Sequence, residues 1–277
     1  NILAGYSAKY ASSSVFVADR TLEFTDKTDL DFSPINLASD EINTSEKSAT
    51  SSAFGLLKRK AVYREGLGSV LIIDGVELDK NPLKPKRLQP DNTTPYPYGN
   101  GTQKDTVFSN IDYTKLNNAV ASIFSDSTKT RAVVVIYKDQ IIAEKYDTGF
   151  DENSKILGWS MTKSITGTLV GMRQFEGKMN VQDKAPIAEW QNDSRKEITI
   201  HNLLQMNSGL EWDENYDKIS DATQMLFLDK DMTKMQAKKE FAGKPNETWN
   251  YSSGTTNVLS GILRGNFNSH QEYLDYW

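Results

Sequence analysis

The spacing of apolar residues changes near residue 150, from patterns typical of strands to patterns typical of helices. Residues 131–146 contain two β-branched runs around a polar turn at 138–140, which is typical of a β-hairpin. From Ser160 to Phe175, apolar side chains recur every three or four residues, which predicts a buried helix that begins at Ser160. This order predicts an α+β fold, with an antiparallel sheet flanked by helices and an inserted helical region.

The amino-terminal part of the chain shows weaker patterns. Residues 1–54 are rich in Ser, Thr, Asp and Asn, with one apolar patch at 15–17. This composition predicts an extended arm or a layered loop with little core of its own. Residues 60–74 predict two short strands that are separated at Gly66 and Gly68.

A proline-rich stretch follows these strands. Five prolines lie between Pro82 and Pro97, and they exclude regular structure, so we interpret residues 80–105 as a surface connection. We therefore predict an amino-terminal extension with a connecting segment in residues 1–105 and a second domain in residues 106–277.

Composition excludes several classes of function. The 32 basic and 37 acidic residues give a net charge of -5 and form no dense basic block, so nucleic acid is not an expected partner. The chain contains no cysteine, which excludes disulfides, thiolate metal sites and a cysteine nucleophile. His201 and His270 are the two histidines and no HExxH pair occurs, so we expect neither a metal nor a cofactor. No apolar run approaches the roughly 20 residues of a membrane span.

Ser160 and Lys163 can form a nucleophile and its base. No other serine in the chain has a lysine three positions later. On a helix these positions share one face, and the positive helix start stabilises a developing oxyanion. Lowering a lysine pKa from about 10.4 to near 7 requires about 4 kcal/mol from burial and neighbouring cations. The alternative is that Ser160 caps the helix and Lys163 is solvated.

A second motif lies 91 residues downstream of Ser160. Tyr251 offers a phenol, and Ser253 offers a hydroxyl two residues further on. Such a pair is suited to passing a proton between nucleophile, lysine and leaving group. The alternative is a tyrosine on a polar turn.

Three sequence blocks together resemble a known superfamily. In order and spacing they are similar to the class C-like branch of the serine β-lactamase and penicillin-binding protein superfamily. The blocks are Gly158–Ser164, His201–Leu210 and Tyr251–Gly254. The run 203–216 is similar to 6-aminohexanoate-dimer hydrolases and related esterases more than to class C β-lactamases. The resemblance covers residues 131–265 and implies a β-lactamase-like fold.

The resemblance also implies a role for each site residue. Ser160 would be the acylated nucleophile, Lys163 its partner base and Tyr251 the proton relay. Ser253 would assist Lys163 or the substrate amide. Tyr216 would line the substrate pocket, although a tyrosine in the core is an equal alternative.

One element of the superfamily pattern is missing from the sequence. The superfamily closes its site with a Lys/His-Thr/Ser-Gly block on a late strand, which supplies a second oxyanion-hole donor. No such block occurs between Tyr251 and Trp277. Removal of one donor typically lowers turnover by about 10² to 10³. We therefore expect a further carboxyl-terminal segment to complete the site.

The sequence thus predicts a serine hydrolase that forms an acyl-enzyme from a small-molecule ester or amide, most like the 6-aminohexanoate-dimer hydrolases and esterases. One alternative is a D-amino-acid peptidase or a β-lactamase that acts on penicillin-like substrates. Another is a non-catalytic binding module that keeps the motifs as structure. The resemblance also implies a bacterial protein that is periplasmic, secreted or anchored to a membrane.

Overall fold

The protein combines helices with two antiparallel sheets, in a computed structural model that describes residues 1–103 and 106–277. This combination confirms the predicted α+β class. The strands are β1 (Ala38–Asn43), β2 (Ser48–Ala53), β3 (Leu57–Arg64), β4 (Gly68–Leu71), β5 (Ala132–Tyr137) and β6 (Gln140–Tyr146). The α-helices are α1 (Ile2–Phe16), α2 (Leu22–Thr28), α3 (Tyr113–Ser122), α4 (Thr162–Phe175), α5 (Ile200–Leu204), α6 (Asp221–Phe227), α7 (Met232–Ala237), α8 (Ser253–Gly265) and α9 (His270–Tyr276). No helix in the described part of the chain is long and apolar enough to cross a bilayer.

Packing divides the described chain into two units. One unit consists of residues 1–86 and 157–277, and the other consists of residues 87–156. These packing units do not follow the domain boundary predicted at residue 105, and that boundary stays a prediction.

The first unit contains a four-stranded antiparallel sheet in the order β1-β2-β3-β4, with α1 packed across it. The prediction of an extended arm or a layered loop for residues 1–54 is therefore wrong. The buried face of α1 consists of small residues, including Ala4, Ala8 and Ala11. Such a face lets a helix approach a sheet closely, but its composition resembles that of a polar loop.

Hydrogen bonds satisfy the serines that this packing buries. Ser12 Oγ donates to Ser69 Oγ on β4 at 2.8 Å, and Ser7 Oγ donates to Asp40 Oδ2 on β1 at 2.6 Å. Buried hydroxyls without partners would destabilise the fold, so these bonds explain how a serine-rich helix can form a core.

The main apolar cluster of this unit lies around α8. Its Val258 and Leu259 pack with Leu203 of α5, Val170 of α4 and the fully buried Trp190. The indole Nε1 of Trp190 donates to the carbonyl of Ala237 at 2.8 Å. The cluster fixes the start of α8 relative to α4, and these two helices carry the candidate site.

Helix α4 matches its predicted position but only part of its predicted burial. A 3-10 turn at Trp159–Met161 carries Ser160, and α4 follows directly. The buried side chains of α4 include Leu169, whereas Phe175 is 94% exposed. The prediction of a buried helix holds for the face of α4 that packs against α8 and is wrong for the exposed face.

The second unit contains the hairpin that the sequence predicts. Strands β5 and β6 pair antiparallel, with Ala132 opposite Tyr146. The turn residues Lys138 and Asp139 have φ values of 47° and 58°, which is typical of a type I′ turn.

The other local predictions also agree with the structure. Strands β3 and β4 confirm the two strands predicted in residues 60–74. The described part of the predicted surface connection, residues 80–103, contains no helix or strand, and residues 104 and 105 lie outside the described residues.

Candidate active site

Ser160 lies on a tight turn that precedes α4. Trp159 has a φ of 42°, a left-handed conformation that is costly for a residue with a side chain. The indole of Trp159 stacks on Tyr6 of α1, with 5.7 Å between ring centroids, and lies 6.3 Å from the ring of Tyr10. Helix α1 therefore supports the backbone conformation that exposes Ser160 to solvent.

Lys163 lies at the centre of the predicted site residues. Its Nζ donates to Ser160 Oγ at 3.0 Å and to Ser253 Oγ at 2.9 Å. It also lies 4.8 Å from the centroid of the Tyr251 ring, within the range of a cation–π contact. The side chains predicted from two distant sequence blocks thus meet around one half-buried amine.

The start of α8 positions Ser253. The hydroxyl of Ser252 accepts a bond from the Thr255 backbone N–H at 2.9 Å, which caps the helix and places Ser253 in its first turn. Gly254 packs tightly behind it, since a Cβ at this position would lie 2.5 Å from Cζ3 of Trp212. The absence of a side chain at Gly254 lets the start of α8 approach Trp212.

Tyr251 presents its ring, and not its hydroxyl, to Lys163. The Tyr251 hydroxyl makes no hydrogen bond to any of the described residues, 1–103 and 106–277. The backbone just before it is fixed, because the N–H of Asn250 donates to the carbonyl of Met206 at 2.9 Å. The proton-relay role of Tyr251 stays a prediction.

Glu214 is a site residue that the sequence reasoning did not select. Its carboxylate accepts bonds from the Ser253 hydroxyl and from the indole N–H of Trp212, and the Ser253 backbone N–H donates to it at 2.8 Å. The hydroxyl of Tyr216 also donates to this carboxylate at 2.6 Å. The one available signal was its place, two residues before Tyr216, within the run 203–216.

Tyr216 joins this network beside Ser253. Its hydroxyl lies 3.5 Å from Ser253 Oγ, and about half of its side chain is exposed. Burial of the rest, followed by the hydrogen bond to Glu214, raises the pKa of Tyr216 to about 12. The structure therefore places Tyr216 at the site and not in the core.

Ser160 lines a cleft with a volume of about 460 Å³. Its walls are mostly apolar and come from α1, α6, a segment at residues 32–35 and the loop that carries Tyr216. The lining side chains are Ile2, Leu3, Tyr6, Phe32, Ser33, Pro34, Ile35, Trp159, Ser160, Tyr216, Asp217, Lys218, Ile219, Thr223, Leu226 and Phe227.

The family model for Beta-lactamase matches residues 120–276, which is more than half of the chain. The chain belongs to the Beta-lactamase family. This membership confirms the resemblance to the serine β-lactamase and penicillin-binding protein superfamily, and the described fold agrees with it. The matched region contains Ser160, Lys163, Glu214, Tyr251 and Ser253.

A solved structure from Bacillus anthracis that carries the provisional name 6-aminohexanoate-dimer hydrolase is similar to this Beta-lactamase family chain. The two share 23% sequence identity, with a TM-score of 0.44. The match covers 52% of this chain and 42% of that one, so it spans less than half the length of that protein. No curated protein matches the chain.

The raised pKa of Tyr216 in this Beta-lactamase family site predicts that wild type and Tyr216→Phe form the same amount of tyrosinate at about pH 11. Because its pKa is higher in the folded than in the unfolded state, the contribution of Tyr216 to stability is complete below about pH 10 and is lost as the pH rises through about 12. At about pH 11 Tyr216 stays largely protonated, so both proteins should show the same near-ultraviolet tyrosinate absorbance. If the absorbance of Tyr216→Phe were lower than that of wild type by the amount of one tyrosinate, the raised pKa of Tyr216 would be contradicted.

Proposed function

We propose that the protein is a serine hydrolase that cleaves an ester or amide through a covalent acyl-enzyme on Ser160. The contact of Lys163 Nζ with Ser160 Oγ at 3.0 Å carries the proposal. A nucleophile and its base need to lie within hydrogen-bond reach of each other, roughly 2.6–3.2 Å, and this pair does.

The hydrogen bonds around Lys163 orient its amine for proton transfer. Its Nζ donates to Ser253 Oγ at 2.9 Å, and the Ser253 hydroxyl donates in turn to Glu214. A neutral amine that donates to Ser253 can direct its lone pair toward Ser160 Oγ. Lys163 then takes the proton of Ser160 while Oγ forms a bond to the substrate carbonyl carbon.

The following steps use the same residues. The carbonyl oxygen becomes an oxyanion beside the positive end of α4, where negative charge is stabilised. The bond to the alcohol or amine leaving group breaks, and the proton from Lys163 passes to that group, with Tyr251 as the proposed relay. Water then gives a proton to Lys163 and attacks the acyl carbon. The bond from this carbon to Ser160 Oγ breaks, Lys163 returns the proton to Oγ, and the acid is released.

The substrate class follows from the sequence resemblance. The run 203–216 favours an ester or unstrained amide, as in hydrolases of the 6-aminohexanoate-dimer type and related esterases. The match to the Beta-lactamase model supports the second candidate, a β-lactamase or D-amino-acid peptidase. A location in the periplasm, outside the cell or on a membrane belongs to the same proposal.

A fluorophosphonate probe tests the proposal on the purified protein. We expect a covalent adduct on the tryptic peptide 156–163, in which Ser160 is the one serine, together with hydrolysis of p-nitrophenyl butyrate. The neighbouring Ser164 lies in a separate tryptic peptide, so it is an internal control for selectivity.

Labelled penicillin provides the second arm of this test. Acylation of Ser160 by penicillin without butyrate hydrolysis would replace the esterase assignment with the β-lactamase or peptidase alternative. Failure of both reagents to modify Ser160 in a folded protein would favour a non-catalytic binding module.

A further inference from the structure

The amino-terminal segment builds a wall of the cleft that contains Ser160. Leu3 and Tyr6 of α1 line it, together with Phe32 and Ile35 from the segment after α2. The match to the Beta-lactamase model begins only at residue 120, so this wall is a property of the chain outside the matched region.

Aromatic contacts make this wall continuous with the nucleophile turn. The ring of Tyr6 lies 5.8 Å from that of Phe32, 5.6 Å from that of Phe227 and 5.7 Å from that of Trp159, which precedes Ser160. Such contacts keep large apolar side chains in fixed positions. An apolar surface therefore extends directly from the reacting hydroxyl into the cleft.

The charged side chains of the cleft lie at its exposed margin. Asp217 and Lys218 belong to the exposed loop after Tyr216, and Lys218 is paired with Asp213 at 2.8 Å. A charged substrate end deep in the cleft would lose hydration without gaining an ionic partner there. The volume of about 460 Å³ lies within the roughly 300–1,000 Å³ typical of small-molecule pockets.

We propose that this cleft binds the acyl chain of the substrate, and that the chain is an apolar one of medium length. Tyr6 and Phe32 are then specificity-determining residues of the amino-terminal segment. This inference rests on the proposed acylation of Ser160 and adds the class of acid that is transferred to it.

A series of p-nitrophenyl esters from acetate to octanoate measures this preference. Each methylene that enters the cleft should raise kcat/KM roughly fourfold, because its removal from water is favourable by a nearly constant amount. The 6-aminohexanoate ester should react more slowly than the hexanoate ester, since its terminal ammonium would lose hydration. Equal or declining rates along the series, or faster reaction of the 6-aminohexanoate ester, would overturn the proposal.

Two matched variants locate the preference in the cleft. Phe32 is 44% exposed and lines the cleft, whereas Leu37 is 51% exposed, lies five residues further on and does not line it. Phe32→Asp should lower the ratio of octanoate to acetate kcat/KM about tenfold, equivalent to the loss of one to two buried methylenes. Leu37→Asp should leave this ratio unchanged. An equal effect of both variants would contradict the assignment.

Binding to Ser160→Ala separates this inference from the proposed function. Calorimetry should show that octanamide binds to this variant more tightly than acetamide, and that the added change Phe32→Asp weakens octanamide binding. If this pattern holds but no ester is hydrolysed by wild type, the acyl-enzyme proposal fails and the apolar cleft stands. If Ser160-dependent hydrolysis occurs without any chain-length dependence of rate or binding, only the cleft assignment fails.

Discussion

Ser160→Ala should lower kcat/KM for p-nitrophenyl butyrate by about 10⁴-fold or more, because it removes the atom that forms the acyl-enzyme. Lys163→Met should lower it by about 10³-fold or more, since the serine hydroxyl then has no base within reach. The two side chains act in one step, so the double variant should be no slower than Ser160→Ala. Steady-state kinetics on the three purified proteins measures these effects, with circular dichroism to show that each is folded.

Ser164→Ala is the control for this series. Ser164 is exposed on the same helix, directly after Lys163, and among the described residues its hydroxyl takes no part in the hydrogen bonds at the site. We expect its activity to remain that of the wild type. Substantial turnover by Ser160→Ala, or losses that multiply in the double variant, would show that another group is the nucleophile.

Gly209→Ala should lower the free energy of unfolding by about 2–5 kcal/mol, the sum of a backbone and a packing cost. Gly209 has a φ of 78°, and a Cβ there would lie 2.5 Å from the carbonyl oxygen of Gly243. The two backbones cannot separate easily, because the Gly209 carbonyl accepts bonds from the N–H groups of Ala242 at 2.9 Å and Gly243 at 3.1 Å. Urea unfolding of both proteins provides the measurement.

Gly177→Ala is the matched control in the same packing unit. Gly177 has a φ of 68°, but a Cβ there would meet no atom within 4 Å. Gly177→Ala should therefore lower the free energy of unfolding only by the cost of the left-handed backbone conformation, roughly 1–2 kcal/mol. Equal losses at Gly177 and Gly209 would show that the contact with Gly243 adds nothing to the stability of the loop that carries Glu214.

The elements that the sequence predicts correctly have local signals. The hairpin in residues 131–146 follows from β-branched runs around a turn, and the helix after Ser160 follows from apolar spacing. Helix α1 lacks such a signal, because its buried face contains Ala and Ser in place of large apolar side chains. Helix α1 is stabilised by packing on the four-stranded sheet, and rules based on local sequence do not take this packing into account.

The same distinction applies to the candidate site. The contact between Ser160 and Lys163 follows from helical spacing alone. The contacts of Glu214 depend on how an irregular loop folds, so its partners could not be derived from spacing. The cleft wall at Phe32 comes from a segment more than a hundred residues before the nucleophile, and only the folded chain shows that the two meet.

The stacking of Trp159 on α1 limits which fragments of the protein can keep the geometry of the site. A fragment that starts at residue 120, where the family match begins, would retain every motif residue and lose the rings of Tyr6 and Tyr10 that support the turn before Ser160. The motifs and the support for their geometry thus belong to different stretches of the chain. Expression fragments and domain exchanges that keep residues 1–86 together with residues 157–277 preserve both.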